Sequence, residues 1–245
     1  SGADAYVGVA AMPLFLSCRA AIRAHTTVAA AKAQGDVTAA AALRDEARAY
    51  LDLALRFLEP VPPGLVAIGG LSGTGKSSVA AGLAPGLGRA PGAVLLRSDV
   101  TRKRLFGIDP EEPLTGDDAY SGETTRKVYD GVKAVAGAAL SAGYCVIADA
   151  VYARPAERTA IEAAAGEAAF QGLWLSAPTE VLQARVAARS GDASDADAAV
   201  VNQQSAYDPG PLTWTEIDAS RDLETTLNAA RAVIEISGVG SIDER

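Results

Sequence analysis

The chain has a single histidine, His25, in 245 residues. A Ser-His-Asp or Cys-His hydrolase needs a histidine beside its nucleophile, and a His-rich zinc site needs several. Both classes are nearly excluded. Only two cysteines are present, Cys18 and Cys145, far apart in sequence. Cys145 lies inside an apolar run, which reads as a buried thiol in a reducing compartment. No apolar run is long enough to span a bilayer. The opening Ser1-Gly2-Ala3-Asp4 lacks the basic region of a signal peptide, and there is no initiator Met. The expectation is a cytoplasmic chain, processed or cut from something longer. Basic residues are in the minority: 22 Lys+Arg against 30 Asp+Glu leave a net charge of -8. That balance argues against a broad nucleic-acid-binding surface, while local basic sites stay compatible with it.

What is present suits a globular chain. With 49% hydrophobic and 21% charged residues, it can bury a core and form one large or two small domains. Residues 1–61 read as an α-helical hairpin. Pro13-Leu14-Phe15-Leu16 opens a helical pattern that continues through Ala20, Ile22, Val28 and Ala31. Gly35-Asp36 breaks it, with Asp36 as N-cap of a second helix over about 37–58. Leu43, Ala47, Tyr50, Leu51, Ala54, Leu55 and Leu58 recur at helical spacing and mark its apolar face. Pro60, Pro62 and Pro63 end the pair in a stiff link.

Residues 62–245 alternate short apolar runs with helical stretches, the pattern of a parallel sheet covered on both faces. Strands are expected at about 65–69, 93–97, 144–148, 170–176 and 213–217, and a loose tail from 237 onward. Between the first strand and its helix stands Gly70-Leu71-Ser72-Gly73-Thr74-Gly75-Lys76-Ser77, a complete G-x-x-x-x-G-K-[ST] phosphate loop. Its glycines let the backbone curl so that successive N–H groups point at a polyphosphate. The helix start that follows adds a favourable field for negative charge. Gly70, Ser72, Gly73, Thr74, Gly75, Lys76, Ser77 and Ser78 are expected to hold ATP. Lys76 reaches the β- and γ-phosphates, and the Ser77 hydroxyl ligates Mg²⁺.

Open parallel sheets bind ligands at the carboxyl ends of their strands. The residues just past each strand therefore belong together: the phosphate loop, Asp99, Asp149 and Ser220-Arg221. Asp149 closes an apolar strand and is the expected second contributor at Mg²⁺; a turn-capping Asp is the plain alternative. Asp99 is the candidate general base for a hydroxyl acceptor; capping a helix that starts near Val100 is its alternative. Arg102 is placed on substrate, and Lys103 and Arg104 are read as a solvated face. Arg185 and Arg189 share a helix face before a Gly-, Asp- and Ser-rich stretch. They are expected to close over ATP and stabilise the transferred charge, with Arg221 also at the nucleotide. Tyr120, Tyr129, Arg154 and Arg158 are expected on the acceptor side. Trp174 and Trp214 read as core.

The stretches Gly70 to Ser78, Leu96-Arg97-Ser98-Asp99-Val100-Thr101-Arg102, Val146-Ile147-Ala148-Asp149-Ala150 and Gly191-Asp192-Ala193-Ser194-Asp195-Ala196 carry a resemblance. The region from Pro63 to Ile236 resembles P-loop kinases of the AAA-family ATPase group, some of them fused to an aminoglycoside-phosphotransferase-like domain. More distantly it is similar to polynucleotide kinase, zeta toxin and chloramphenicol phosphotransferase. The resemblance implies Asp99 as base, Asp99 and Arg102 as the Asp-x-x-Arg pair, and Arg185 and Arg189 as lid arginines. The hairpin resembles the end of the fused phosphotransferase-like domain, whose His-x-Asp motif is missing here, since His25 is followed by Thr26-Thr27; a helical prefix of a stand-alone protein is the alternative. The expectation is a three-layer α/β/α P-loop NTPase whose five-stranded parallel sheet runs in the order 2-3-1-4-5, preceded by the hairpin. Its expected activity is ATP- and Mg²⁺-dependent phosphorylation of a small-molecule hydroxyl, without membrane or nucleic-acid partners. A polynucleotide 5′-hydroxyl kinase and a non-catalytic ATP-sensing module are the alternatives.

Overall fold

The computed structural model describes residues 8–114, 116–188, 194, 198–206 and 209–240. Helices α1 (Met12–Ala33) and α2 (Val37–Leu58) fold back on each other. The Asp36 carboxylate accepts the Ala39 N–H at 2.8 Å, which is the expected cap. The two helices pack on each other, and the hydrophobic residues they bury are mostly small: Ala20, Ala24 and Ala31 on one, Ala40, Ala47 and Ala54 on the other. This corrects the apolar face read from the sequence. Leu51, Leu55 and Leu58 are 50%, 59% and 52% exposed. Alanines let the two backbones approach closely, so the larger leucines fall beside the seam rather than in it.

The rest of the chain is built on one sheet. Strands β1 (Gly64–Gly69), β2 (Val94–Arg97), β3 (Val146–Asp149), β4 (Ala169–Ser176) and β5 (Thr215–Asp218) lie in the order β2-β3-β1-β4-β5. Every neighbouring pair is parallel. This is the α/β P-loop NTPase topology expected from the sequence. β1 is buried along its whole length because helices cover both faces of a central parallel strand. Its side chains alternate between two cores. Leu65 and Ala67 pack with Val132 and Ala136 of α5 (Gly122–Ser141). Val66 and Ile68 pack with Val79 and Leu83 of α3 (Lys76–Leu83) and with Ala230 and Ile234 of α9 (Leu223–Ser237). The remaining helices are α4 (Ser98–Leu105), α6 (Pro155–Ala164), α7 (Thr179–Ala188) and α8 (Ala198–Ser205).

Several local readings change. Helix α4 starts at Ser98, with Arg97 in the cap position, so Asp99 sits within the first turn and does not cap a helix at Val100. Lys103 is not on a solvated face. It is 1% exposed, and its Nζ donates to the Pro110 carbonyl at 3.1 Å. The tail is not loose from 237: Val239 is fully buried against the β1 layer, while residues 241–245 lie outside the described residues. Trp174 and Trp214 are both core, although Trp214 precedes β5 rather than lying in it. Cys145 is buried as expected and Cys18 is exposed. No described helix is long and apolar enough to cross a membrane.

Candidate active site

Parallel strands put all their carboxyl ends at one edge of the sheet. A cleft of about 1140 Å³ opens there, walled by the phosphate loop, the start of α4, the start of α5, the exit of β3 and the turn after β5. The phosphate loop follows β1 directly. Gly73 and Gly75 have φ of 87° and 85°, a left-handed backbone that a side chain would strain. These kinks turn the chain into α3, whose first residue is Lys76. Two loop side chains converge on one loop carbonyl. Lys76 Nζ donates to the Leu71 carbonyl at 2.9 Å, and Thr74 Oγ1 donates to the same oxygen at 2.8 Å. The Gly70 N–H donates to Val151 O at 3.2 Å, tying the loop to the exit of β3. Ser72, Gly73, Thr74, Gly75, Lys76, Ser77 and Ser78 all face the cleft.

Asp149 ends β3 beside Ile68 of β1 and Arg97 of β2 in the sheet register. It is 4% exposed. The Ser77 hydroxyl donates to Asp149 Oδ2 at 2.6 Å, and Arg97 Nε lies 3.5 Å from the same oxygen. Burial pushes the Asp149 carboxyl above the usual carboxylate range, and the Lys76 charge and the Ser77 hydrogen bond pull against that shift. A hydroxyl and a buried carboxylate oxygen side by side, open to the cleft, fit Mg²⁺. That cation takes hard oxygen donors and binds through one or two carboxylates plus phosphates and water. Ser77 and Asp149 would hold it.

Asp99 is half-buried and lines the same cleft from α4. Arg102 lines it too, but its guanidinium is engaged: it donates to Ala119 O at 2.7 Å and Thr125 Oγ1 at 3.4 Å, and stacks 4.9 Å over the Tyr120 ring. Arg102 thus shapes the wall that carries Tyr120. The Tyr129 hydroxyl accepts the Tyr152 N–H at 3.2 Å. Burial, reinforced by the Glu157 charge, raises the Tyr129 phenol above its ordinary range. Tyr152 holds a left-handed φ of 49° and is fully buried, with its ring edge-on to Tyr129 at 5.5 Å and to Trp214 at 5.2 Å. A left-handed non-glycine residue three places past Asp149 is backbone strain held at the site by this packing. Arg154 is exposed on the cleft wall, and its backbone N–H donates to Glu157 Oε2 at 3.1 Å.

Two expected contacts need correcting. Arg158 does not line the cleft. It is 3% exposed, and its guanidinium donates to the carbonyls of Tyr152, Ala153, Pro209 and Pro211 at 2.9, 3.1, 2.5 and 3.2 Å. The segments at 152–153 and 209–211 converge on its guanidinium, so the charge meets backbone oxygens rather than a ligand. Arg185 does face the cleft, but it is bound to the carbonyls of Ala219, Ser220 and Arg221 at 2.7, 3.3 and 2.6 Å. It fixes the turn that presents Arg221 to the cleft. Arg189 lies outside the described residues. Glu157 and Gln204 line the cleft and Arg97 reaches Asp149 behind it, and none of these three was singled out from the sequence. Arg97 stands two residues before Asp99 at the end of an edge strand, which is a usable signal. Glu157 and Gln204 come from helices whose facing only the fold decides.

The sheet order, the left-handed loop and the Ser77–Asp149 pair define the α/β P-loop NTPase fold. The chain belongs to the AAA domain family AAA_33, whose model it matches over residues 65–209. The uncharacterized protein Rv2004c of Mycobacterium tuberculosis H37Rv is 31% identical over 221 residues, covering 88% of this chain and 43% of that protein. Mb2027c of Mycobacterium bovis aligns with the same identity and coverage. The chain thus spans less than half the length of the curated relatives it matches. In fold it is similar to a sugar kinase from Janibacter sp. HTCC2649, with 20% identity, a TM-score of 0.54, and coverage of 74% of this chain and 99% of that one.

Proposed function

We propose that the chain is an ATP- and Mg²⁺-dependent phosphotransferase that moves the γ-phosphoryl group of ATP to a hydroxyl of a small molecule. The observation that carries this reading is the shared cleft: the phosphate loop, Asp149 and Asp99 line one cavity. Phosphoryl transfer needs positioning and charge neutralisation more than covalent chemistry from the protein. Lys76 exchanges the Leu71 carbonyl for phosphate oxygens. Ser77 and Asp149 would hold Mg²⁺, which would supply charge neutralisation at the phosphates. Asp99 orients the acceptor hydroxyl and takes its proton as that oxygen attacks phosphorus and ADP leaves. Tyr120, Tyr129 and Arg154 hold the acceptor, with Arg102 bracing their wall. Arg221 serves the nucleotide, Arg185 sets its position, and Arg189 brings charge to the transferred group.

A polynucleotide acceptor is disfavoured by the net charge of -8. A purely sensing module predicts an Asp99 turned away from the phosphate loop, and its place on the cleft wall favours transfer. The same proposal includes a covalently attached phosphotransferase-like domain next to the hairpin, and the match to 43% of a longer relative is compatible with it. We assign the cytoplasm, where ATP and reduced thiols coexist. The test uses γ-labelled ATP with a pooled small-molecule fraction in one arm and a 5′-hydroxyl oligonucleotide in the other. Lys76→Ala should lose nucleotide binding. Asp99→Asn should bind ATP normally and transfer about 10²- to 10⁴-fold more slowly. Undiminished transfer by Asp99→Asn removes the base assignment, and label on the oligonucleotide alone overturns the acceptor class.

A further inference from the structure

Helix α8 stands on the phosphate loop. Val201 is fully buried between Leu182 and Val186 of α7, and Leu71 of the loop packs against that cluster. Gln183 Nε2 donates to Asn202 Oδ1 at 2.6 Å and joins the two helices. One turn further along α8, Gln204 reaches the loop itself: its Oε1 accepts the Ser72 N–H at 2.8 Å. The donor here is a backbone amide, so the side-chain oxygen must face it, and the orientation of the Gln204 amide is fixed by chemistry. Its Nε2 is then a two-proton donor on the cleft wall, with no hydrogen bond to another described residue.

The position of Ser72 decides which phosphate that donor meets. The loop amides nearest α3 cradle the α- and β-phosphates, and Lys76 reaches toward the terminal one. Ser72 is four residues before Lys76, in the half of the loop farther from α3. We propose that Gln204 is a γ-phosphate-positioning residue, anchored through its carbonyl oxygen to the Ser72 amide and donating through Nε2 to a terminal phosphoryl oxygen. The phosphate site is then composite, built from the loop and from a helix more than 120 residues later. A donor already held in place by the loop adds to transition-state charge stabilisation without reorganisation.

This inference rests on the nucleotide reading of the loop, and the experiment separates the two. Calorimetric titration with ADP and with a β,γ-imido analogue of ATP, both with Mg²⁺, is run on the wild type, Gln204→Ala and Gln204→Glu. Glutamate keeps an oxygen for the Ser72 N–H but replaces the donor with a negative charge. Gln204→Ala should weaken the triphosphate about tenfold and leave ADP within about twofold. Gln204→Glu should weaken the triphosphate further than alanine does. Equal losses for both nucleotides in alanine with recovery in glutamate would make Gln204 a brace only and overturn the proposal, as would unchanged triphosphate binding in both variants. A wild type that binds neither nucleotide takes down the phosphate-loop reading itself.

Discussion

Replacing Arg158 by alanine tests whether this residue belongs to the scaffold or to the acceptor. The guanidinium holds four carbonyls in two separate segments, residues 152–153 after β3 and residues 209–211 before β5, and lies 5.8 Å from the centre of the Trp174 ring. Alanine would leave the Tyr152 and Ala153 carbonyls buried without this donor. Each orphaned buried acceptor costs about 1–3 kcal/mol, while removal of a buried cation returns part of that. The net loss is about 3 kcal/mol. For a fold of this size each kcal/mol lowers Tm by about 2–4 °C, so a fall of about 6–12 °C is expected. Arg158→Lys keeps the charge but cannot span four acceptors with one ammonium, and should fall about half as far. Thermal unfolding followed by circular dichroism reads this directly. A Tm within about 2 °C of wild type in Arg158→Ala, together with weakened acceptor use, would refute the scaffold role.

Gly172→Ala should destabilise the fold by about 1–3 kcal/mol in urea titration, because a Cβ there would strike the Trp214 indole. That indole cannot easily move, since its N–H donates to Glu162 at 2.7 Å; wild-type stability in the variant would show that it does. Chelation by EDTA should stop phosphoryl transfer, and added Mg²⁺ should restore it in the wild type. Asp149→Asn keeps the shape but loses the charge, and should need far more Mg²⁺ for the same rate. Transfer that persists in EDTA would remove the metal from the Ser77–Asp149 site.

Much of this protein is legible in local sequence. The phosphate loop announces itself because its chemistry depends on consecutive backbone amides, and glycines at fixed offsets are what permit them. The strand runs are readable because a central parallel strand is apolar on both faces, as β1 is from end to end. Asp36 was readable as a cap because an N-cap acts three residues away. Asp149 and Asp99 could be paired from sequence because parallel strands deliver their final residues to one edge.

Long side chains are where sequence reasoning stopped. Arg102, Arg158, Arg185 and Lys103 look alike as isolated cations, yet each ends on backbone carbonyls of a different segment. A guanidinium reaches about 6–7 Å from its backbone and serves whichever acceptors the fold brings there, so its partners are set by packing and not by its neighbours in sequence. The leucines of α2 show the same limit: periodicity marks a helix face, while the size of the residues on the partner decides which of them are covered. Gln204 is the extreme case. Its sequence surroundings carry no signal, and only the docking of α8 on the loop places its amide against Ser72. Short-range geometry was written in the chain, and contacts made by flexible side chains across the fold were decided by tertiary structure alone.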